Sequence, residues 1–230
     1  MKTSKQKVLQ SIAAVLAAAL VFFFILTASI GLPIYIRPFY YWHIDAMALD
    51  AASGYTAQQI RDGYDDVLDY LTLPGREFAA GDFTYSDEGA SHFADCKVLF
   101  DLNAWVLVLS SLGLLALGIL RWRKKLQPLR LGKRSAAFWG ALTAVVLPVV
   151  LGGLAALDFD RAFVIFHSLF FPGKDNWIFD YDTDPIIRVL PQDFFMHCAI
   201  LIALGVIVFS CAVFIWEACR SRRERKKKRK

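Results

Sequence analysis

Four long stretches without a single Asp, Glu, Lys or Arg constrain this chain more than any other feature. They run from Val8 to Ile36, Leu102 to Leu120, Ser135 to Leu157 and Phe194 to Trp216. A bilayer core needs about 20 consecutive apolar residues for one helix, and each stretch supplies them. Composition agrees: 57% of the 230 residues are hydrophobic and 20% are charged, too apolar for an ordinary soluble domain. Pro33 lies near the end of the first stretch and predicts a helix end at about Leu32. The expected fold is an all-α membrane protein with spans at about 8–32, 102–120, 135–157 and 194–216. The first stretch exceeds the 7–15 residues of a cleaved signal core and is read as a retained helix.

Charge orients these spans. Lys2, Lys5 and Lys7 precede the first span, and the 121–134 segment carries Arg121, Arg123, Lys124, Lys125, Arg130, Lys133 and Arg134 with no acid. The 217–230 tail has nine Lys or Arg against two Glu. The other two connections are reversed, with eleven acids and four bases in 37–98 and seven acids and three bases in 158–194. Positive segments stay in the cytoplasm, so both termini are expected there. The connections 37–98 and 158–193 then lie outside, and no linker divides 1–230 into more than one membrane domain. Trp122, Trp139 and Trp216 fit the inner interface, and Trp42 and Trp177 the outer one. The basic tail is read as an anchor to anionic lipid rather than a nucleic-acid site.

The two outer connections are too long to be simple linkers and are expected to form a small, mostly helical cap. Thr56 with Gln59 makes a capping-box pattern ahead of Ile60, Tyr64, Val67, Leu68 and Leu71. Pro74-Gly75 closes that helix, and Asp62, Asp65, Asp66 and Asp69 read as its solvated face. Residues 78–85 suggest a hairpin, and a new helix should begin near Ser86 or Ser91. In the second connection, Asp158 or Asp160 is a candidate N-cap. Phe159, Phe163, Phe166 and Phe170 follow at helical spacing, the pattern of a helix lying in the membrane interface. Asp184-Pro185 should start a further short turn.

Four histidines are the main candidates for chemistry. His43 reads as an interface residue, and His197 as a structural hydrogen-bonding residue inside the fourth span. His92 and His167 are both expected outside, near headgroup depth. Asp95 shares a helix face with His92 and could orient its ring. Cys96 shares that face too and reads as a structural thiol. Ser168, adjacent to His167, points elsewhere. No metal site is expected, because His-x-x-Asp with one distant His lacks the ligand spacing of zinc motifs. The spans hold few ionisable groups, which disfavours a transporter. A membrane sensor or assembly partner, with an acidic cap that binds a ligand or protein, stands as the alternative to an enzyme.

Two runs carry a family resemblance. One is His92-Phe93-Ala94-Asp95-Cys96-Lys97. The other is Phe166-His167-Ser168-Leu169-Phe170-Phe171, followed by Trp177-Ile178-Phe179-Asp180, Asp184, Ile187 and Leu190-Pro191-Gln192-Asp193-Phe194-Phe195. The chain resembles the lipoprotein intramolecular transacylases (Lit) of Gram-positive bacteria. In that family Met follows the first histidine and Val precedes the lysine; here those positions are Phe93 and Cys96. The resemblance implies that the sn-2 acyl chain of a diacylglyceryl N-terminal cysteine moves to its α-amino group, giving a lyso-form lipoprotein. It implies His92 and His167 as the catalytic pair, diacylglyceryl lipoproteins and membrane phospholipid as partners, and no ATP or cofactor. Asp95, Lys97 and Arg188 are candidates to orient the pair or to stabilise an oxyanion. Phe163, Phe166, Phe170 and Trp177 are candidates to contact acyl chains. Which histidine is base and which is acid stays open, with His167 the favoured base, as does attack through an acyl-imidazole.

Overall fold

The computed structural model describes residues 4–123, 130–132, 134–155 and 157–228. Lys2, Lys124, Lys125, Lys133, Arg229 and Lys230 of the basic segments, and residue 156 of the third expected span, lie outside the described residues. Among the described residues, four helices are long and apolar enough to cross a membrane. They are α1 (Ser4–Tyr35), α5 (Asp87–Trp122), α6 (Ala136–Ala155) and α9 (Gln192–Lys228). Each contains, or for α6 nearly contains, one expected span. Between them come α2 (Arg37–Ala46), α3 (Leu49–Ser53), α4 (Ala57–Thr72), α7 (Phe159–Phe170) and α8 (Ile186–Val189). A two-residue pair, β1 (Arg130–Leu131) with β2 (Arg134–Ser135), precedes α6.

The residues gather into two compact units. The first comprises 1–30, 105–153 and 202–230. Small residues let its helix backbones approach: Ala141 and Ala144 are fully buried among Val21, Ile25 and Val206. A Cβ on Gly140 would lie 2.3 Å from the carbonyl oxygen of Ala18. Close backbone contact of this kind supplies the dispersion energy that holds helices together in lipid, where no hydrophobic effect acts between them.

The second unit comprises 31–104 and 154–201. Its core joins α2, α4 and α8 around Tyr40, Ile44, Ile60, Tyr64, Val67 and Val189. Tyr40 stacks on Tyr64 at 3.7 Å between ring centroids, and its hydroxyl donates to the Val189 carbonyl at 2.7 Å. The α4 boundaries follow the sequence closely. Thr56 Oγ1 accepts from the Gln59 backbone N–H, and the Gln59 side chain accepts from that of Thr56. Removing the cap by Thr56→Ala should cost about 1 kcal/mol. Faster amide hydrogen exchange confined to the first turn of α4 is the expected result.

Several expectations change here. Helix α1 does not stop at Leu32 but runs to Tyr35 through Pro33. A proline this near a helix end removes one hydrogen bond where few turns remain to be disturbed. Residues 78–85 pair with no strand; they dock on α4 instead. Phe83 packs where Gly63 has no side chain, since a Cβ there would lie 2.4 Å from the ring, and the Gly81 N–H donates to Asp66. The acidic face of α4 is not simply solvated either. Asp65 and Asp69 both hold the Arg37 guanidinium, and Asp65 also accepts from the Tyr41 hydroxyl. Periodicity had marked these aspartates as the face turned away from the core, and that face meets α2. Helix α2, with Pro38 in its first turn, was not expected from the sequence.

Candidate active site

His92 and His167 are separated by 75 positions, and the second unit brings their rings to 5.7 Å between centroids. Ser86 sets the start of α5: its hydroxyl oxygen accepts from the Gly89 N–H at 2.9 Å, and its own N–H and O–H donate to Asp184. His92 follows within two turns. Asp158 caps α7 by accepting from the Arg161 N–H at 2.9 Å, which places His167 in the last turn of that helix. Both imidazoles are withdrawn from solvent, 6% and 7% exposed.

An aromatic wall surrounds the pair. Phe171 and Phe179 meet the His92 ring edge-on at 5.0 and 5.6 Å. Trp177 stacks on His167 at 4.4 Å, and Phe163 lies 4.3 Å away. Phe166 and Phe170 form a 4.6 Å pair on the exposed side of α7, beside exposed Val164, Ile165 and Leu169. The Phe stripe therefore divides: Phe163 belongs to the wall, whereas Phe166 and Phe170 face outward from the unit.

The hydrogen bonds fix what His167 can do. Its Nδ1 lies 2.8 Å from the Phe163 carbonyl oxygen, an atom that only accepts, so Nδ1 carries a proton. In the neutral ring the lone pair is then on Nε2, ready to accept a proton. Burial pushes the His167 pKa below the usual histidine value; the Phe163 carbonyl opposes this more weakly. The ring is thus kept as the neutral base at neutral pH. His92 differs. Its Nε2 lies 3.4 Å from the Cys96 sulfur, and its Nδ1 is buried without a hydrogen-bond partner among the described residues.

The supporting residues are distributed differently from what spacing suggested. The Asp95 carboxylate does not reach His92; it binds Lys174 Nζ at 2.5 Å and the Asn176 carboxamide at 3.1 Å. A cation on the facing segment attracts a carboxylate more strongly than a neutral imidazole three residues back on its own helix. Lys97 is also committed elsewhere, donating to the Tyr70 and Leu73 carbonyls at the end of α4. Arg188 closes its own loop through the Tyr181 carbonyl and Asp182. These are the hydrogen-bond partners of the two cations among the described residues. Ser168 donates to the Val164 carbonyl and points away.

A second histidine pair occupies the same unit. His43 is not an interface residue: it is 1% exposed, since α2 folds it inward. Its Nδ1–H donates to the Phe39 carbonyl at 2.7 Å, and its Nε2 contacts His197 Nδ1 at 2.9 Å. His197 makes the structural hydrogen bond expected of it. Sequence reasoning passed over Lys174 and Asn176, which lie in a turn that has no periodicity to mark them.

Comparison with known proteins adds to this geometry. No curated protein matches the sequence. Solved structures do: the chain is similar to the integral membrane lipoprotein intramolecular transacylase Lit of Bacillus cereus, determined in meso. The TM-score is 0.83 at 24% identity, over 97% of this chain and 100% of that one. Two histidine-substituted forms of that protein, one to arginine and one to alanine, match with TM-scores of 0.81 at the same 24% identity, over 96% of this chain and 96% and 97% of theirs. These likenesses establish a shared fold. The model of the family described as lipoprotein intramolecular transacylase Lit matches residues 15–195, a range that holds both histidines and the whole aromatic wall. The chain is a multi-pass membrane protein of the lipoprotein intramolecular transacylase (Lit) family.

Proposed function

We propose that His92 and His167 transfer the sn-2 acyl chain of a diacylglyceryl-modified N-terminal cysteine to the α-amino group of that cysteine. One observation carries this reading. Two buried imidazoles from distant parts of the chain face each other inside an aromatic wall, one with its acceptor nitrogen fixed by a carbonyl. The charge pattern supports the site's location at the outer leaflet, where the 37–98 and 158–193 connections lie if the basic segments are cytoplasmic. A lipid ester reaches that depth.

The reaction balances without a cofactor. The neutral amine attacks the ester carbonyl, and His167 Nε2 takes the amine proton. The tetrahedral intermediate collapses by breaking the bond to the glyceryl oxygen, which leaves as a hydroxyl after receiving a proton from an imidazolium of the pair. An ester becomes an amide, and the proton lost from nitrogen is the one gained by oxygen. Donor and acceptor belong to one molecule, so holding them in register supplies much of the acceleration. Phe163 and Trp177 offer apolar surface to an acyl chain at the reacting centre, and exposed Phe166 and Phe170 anchor α7 in the interface.

The test is chemical. The chain is expressed in bacteria lacking their own lipoprotein N-acylation, and lipoprotein N-terminal peptides are analysed by mass spectrometry. An N-acyl, O-monoacylglyceryl cysteine is expected. An unchanged diacylglyceryl cysteine with well-expressed wild-type protein would reject the transacylase reading in favour of a non-enzymatic, ligand-binding cap.

A further inference from the structure

We infer that Asn176 is a positioning residue for this reaction, holding His92 in the tautomer whose Nε2 is free to exchange a proton with substrate. The inference rests on the transacylase reading for its kinetic consequence, but its structural claim can be tested separately. Two buried polar atoms in this part of the unit have no partner among the described residues: His92 Nδ1 and Asn176 Oδ1. One can be an N–H donor, and the other is an acceptor. A buried polar atom left unpaired is costly, so two complementary ones in the same place point to each other.

The rest of the carboxamide is fixed by the residues that flank His92. Asn176 Nδ2 donates to Asp95 Oδ2 at 3.1 Å and to Ser91 Oγ at 3.3 Å. Ser91 immediately precedes His92, and Asp95 lies three residues after it. Both bonds use the amide nitrogen, which assigns the carboxamide's orientation and leaves Oδ1 as its acceptor. Asp95 is in turn held by Lys174. The resulting chain runs Lys174 to Asp95 to Asn176 to the His92 ring.

The thiol of Cys96 fits the same tautomer. With the His92 proton on Nδ1, the lone pair on Nε2 can accept from the thiol hydrogen across the observed 3.4 Å. A thiol is a weak donor, so substrate displaces it at little cost. The sequence reading gave Asp95 the task of orienting His92 directly; here the carboxylate acts through a carboxamide. The charged and titratable groups around His92 are Asp95 and Cys96 on α5, His167 on α7 and Lys174 in the turn beyond it.

Two measurements test this. Nitrogen chemical shifts of isotopically labelled histidine, in protein reconstituted in lipid, should show His92 protonated at Nδ1. In Asn176→Leu that signature should broaden into a mixture of tautomers. Kinetically, Asn176→Leu should lower kcat by roughly 100-fold, the scale of a misplaced reacting group, with KM changed less than about twofold. Asn176→Asp keeps an acceptor beside His92. It should recover part of kcat and move the acidic limb of the pH profile upward, because an added carboxylate favours the imidazolium. A purely structural asparagine would change melting temperature and expression but leave tautomer and pH profile as they are; that result, or an unaltered kcat in Asn176→Leu, overturns the inference. If wild-type protein shows no transacylation, the tautomer measurement still decides whether Asn176 orients His92.

Discussion

His167→Ala should lower the rate of lyso-form lipoprotein synthesis by about 10²- to 10⁴-fold, the usual contribution of a general base, while the diacylglyceryl substrate accumulates. Binding should suffer less, because Phe163 and Trp177 remain to contact the lipid. His92→Ala should fall in the same range. The double variant should be little worse than either single one, since residues that move one proton between them act as a unit and their effects do not add. A double variant that multiplies the two losses would mean the histidines act in separate steps. Mass spectrometric quantification of the N-acylated peptide over time provides the measurement.

The same residue sets a pH dependence whose sign follows from its environment. His167 must be neutral to accept a proton, and that form dominates above its pKa. Burial places this pKa below the ordinary value, which is about 6.5. Activity should therefore persist as pH falls through about 6.5 and decline only on the acid side of it. An acidic limb centred above that value would contradict a buried, neutral base.

Asp184→Ala should have a large effect on stability. The carboxylate is buried and accepts from the Ser86 N–H at 2.8 Å, the Ser86 hydroxyl at 2.8 Å and the Thr183 hydroxyl at 3.0 Å. Removing it leaves the half-buried Ser86 donors without their acceptor at the point where the 171–185 segment meets the start of α5. A loss of about 3 kcal/mol is expected, as for hydrogen bonds to a charged group, seen as a lower midpoint of thermal unfolding in detergent. Activity should fall as well, because the Ser86 cap starts the helix that carries His92. Asp184→Asn keeps one acceptor oxygen and should be milder in both respects. Equal thermal midpoints for wild type and Asp184→Ala would show that Asp184 does not clamp the two segments together.

How much of this was legible in sequence varies with the range of the interaction concerned. Thr56 and Gln59 announced the start of α4 because a capping box closes within three residues. Asp158 and the Phe spacing announced α7 for the same reason. Helix α2 was missed, although it carries the stacked Tyr40 and the buried His43. The aromatic run from Phe39 to Trp42 continues across both faces of the helix; what selects Tyr40, His43 and Ile44 as its buried face is the surface of α4 and α8 on which it packs. Asp95 stood out for sharing a helix face with His92, but nothing local reveals that its bonding partners, Lys174 and Asn176, arrive from 79 and 81 positions away.

The four charge-free stretches, by themselves, determined that this chain must be helical across a bilayer, because lipid offers no partner to an unpaired backbone group and about 20 apolar residues are the length such a helix needs. The asymmetry of Lys and Arg set the expected orientation, and two motif-bearing runs singled out His92 and His167. Only the tertiary structure decided that these two rings meet, that His167 is held with its proton on Nδ1, and that Lys97 and Arg188 bond the ends of a helix and a loop. Such outcomes depend on which side chain of a distant segment arrives within hydrogen-bonding range, and a difference of one or two ångströms there is invisible to spacing along the chain.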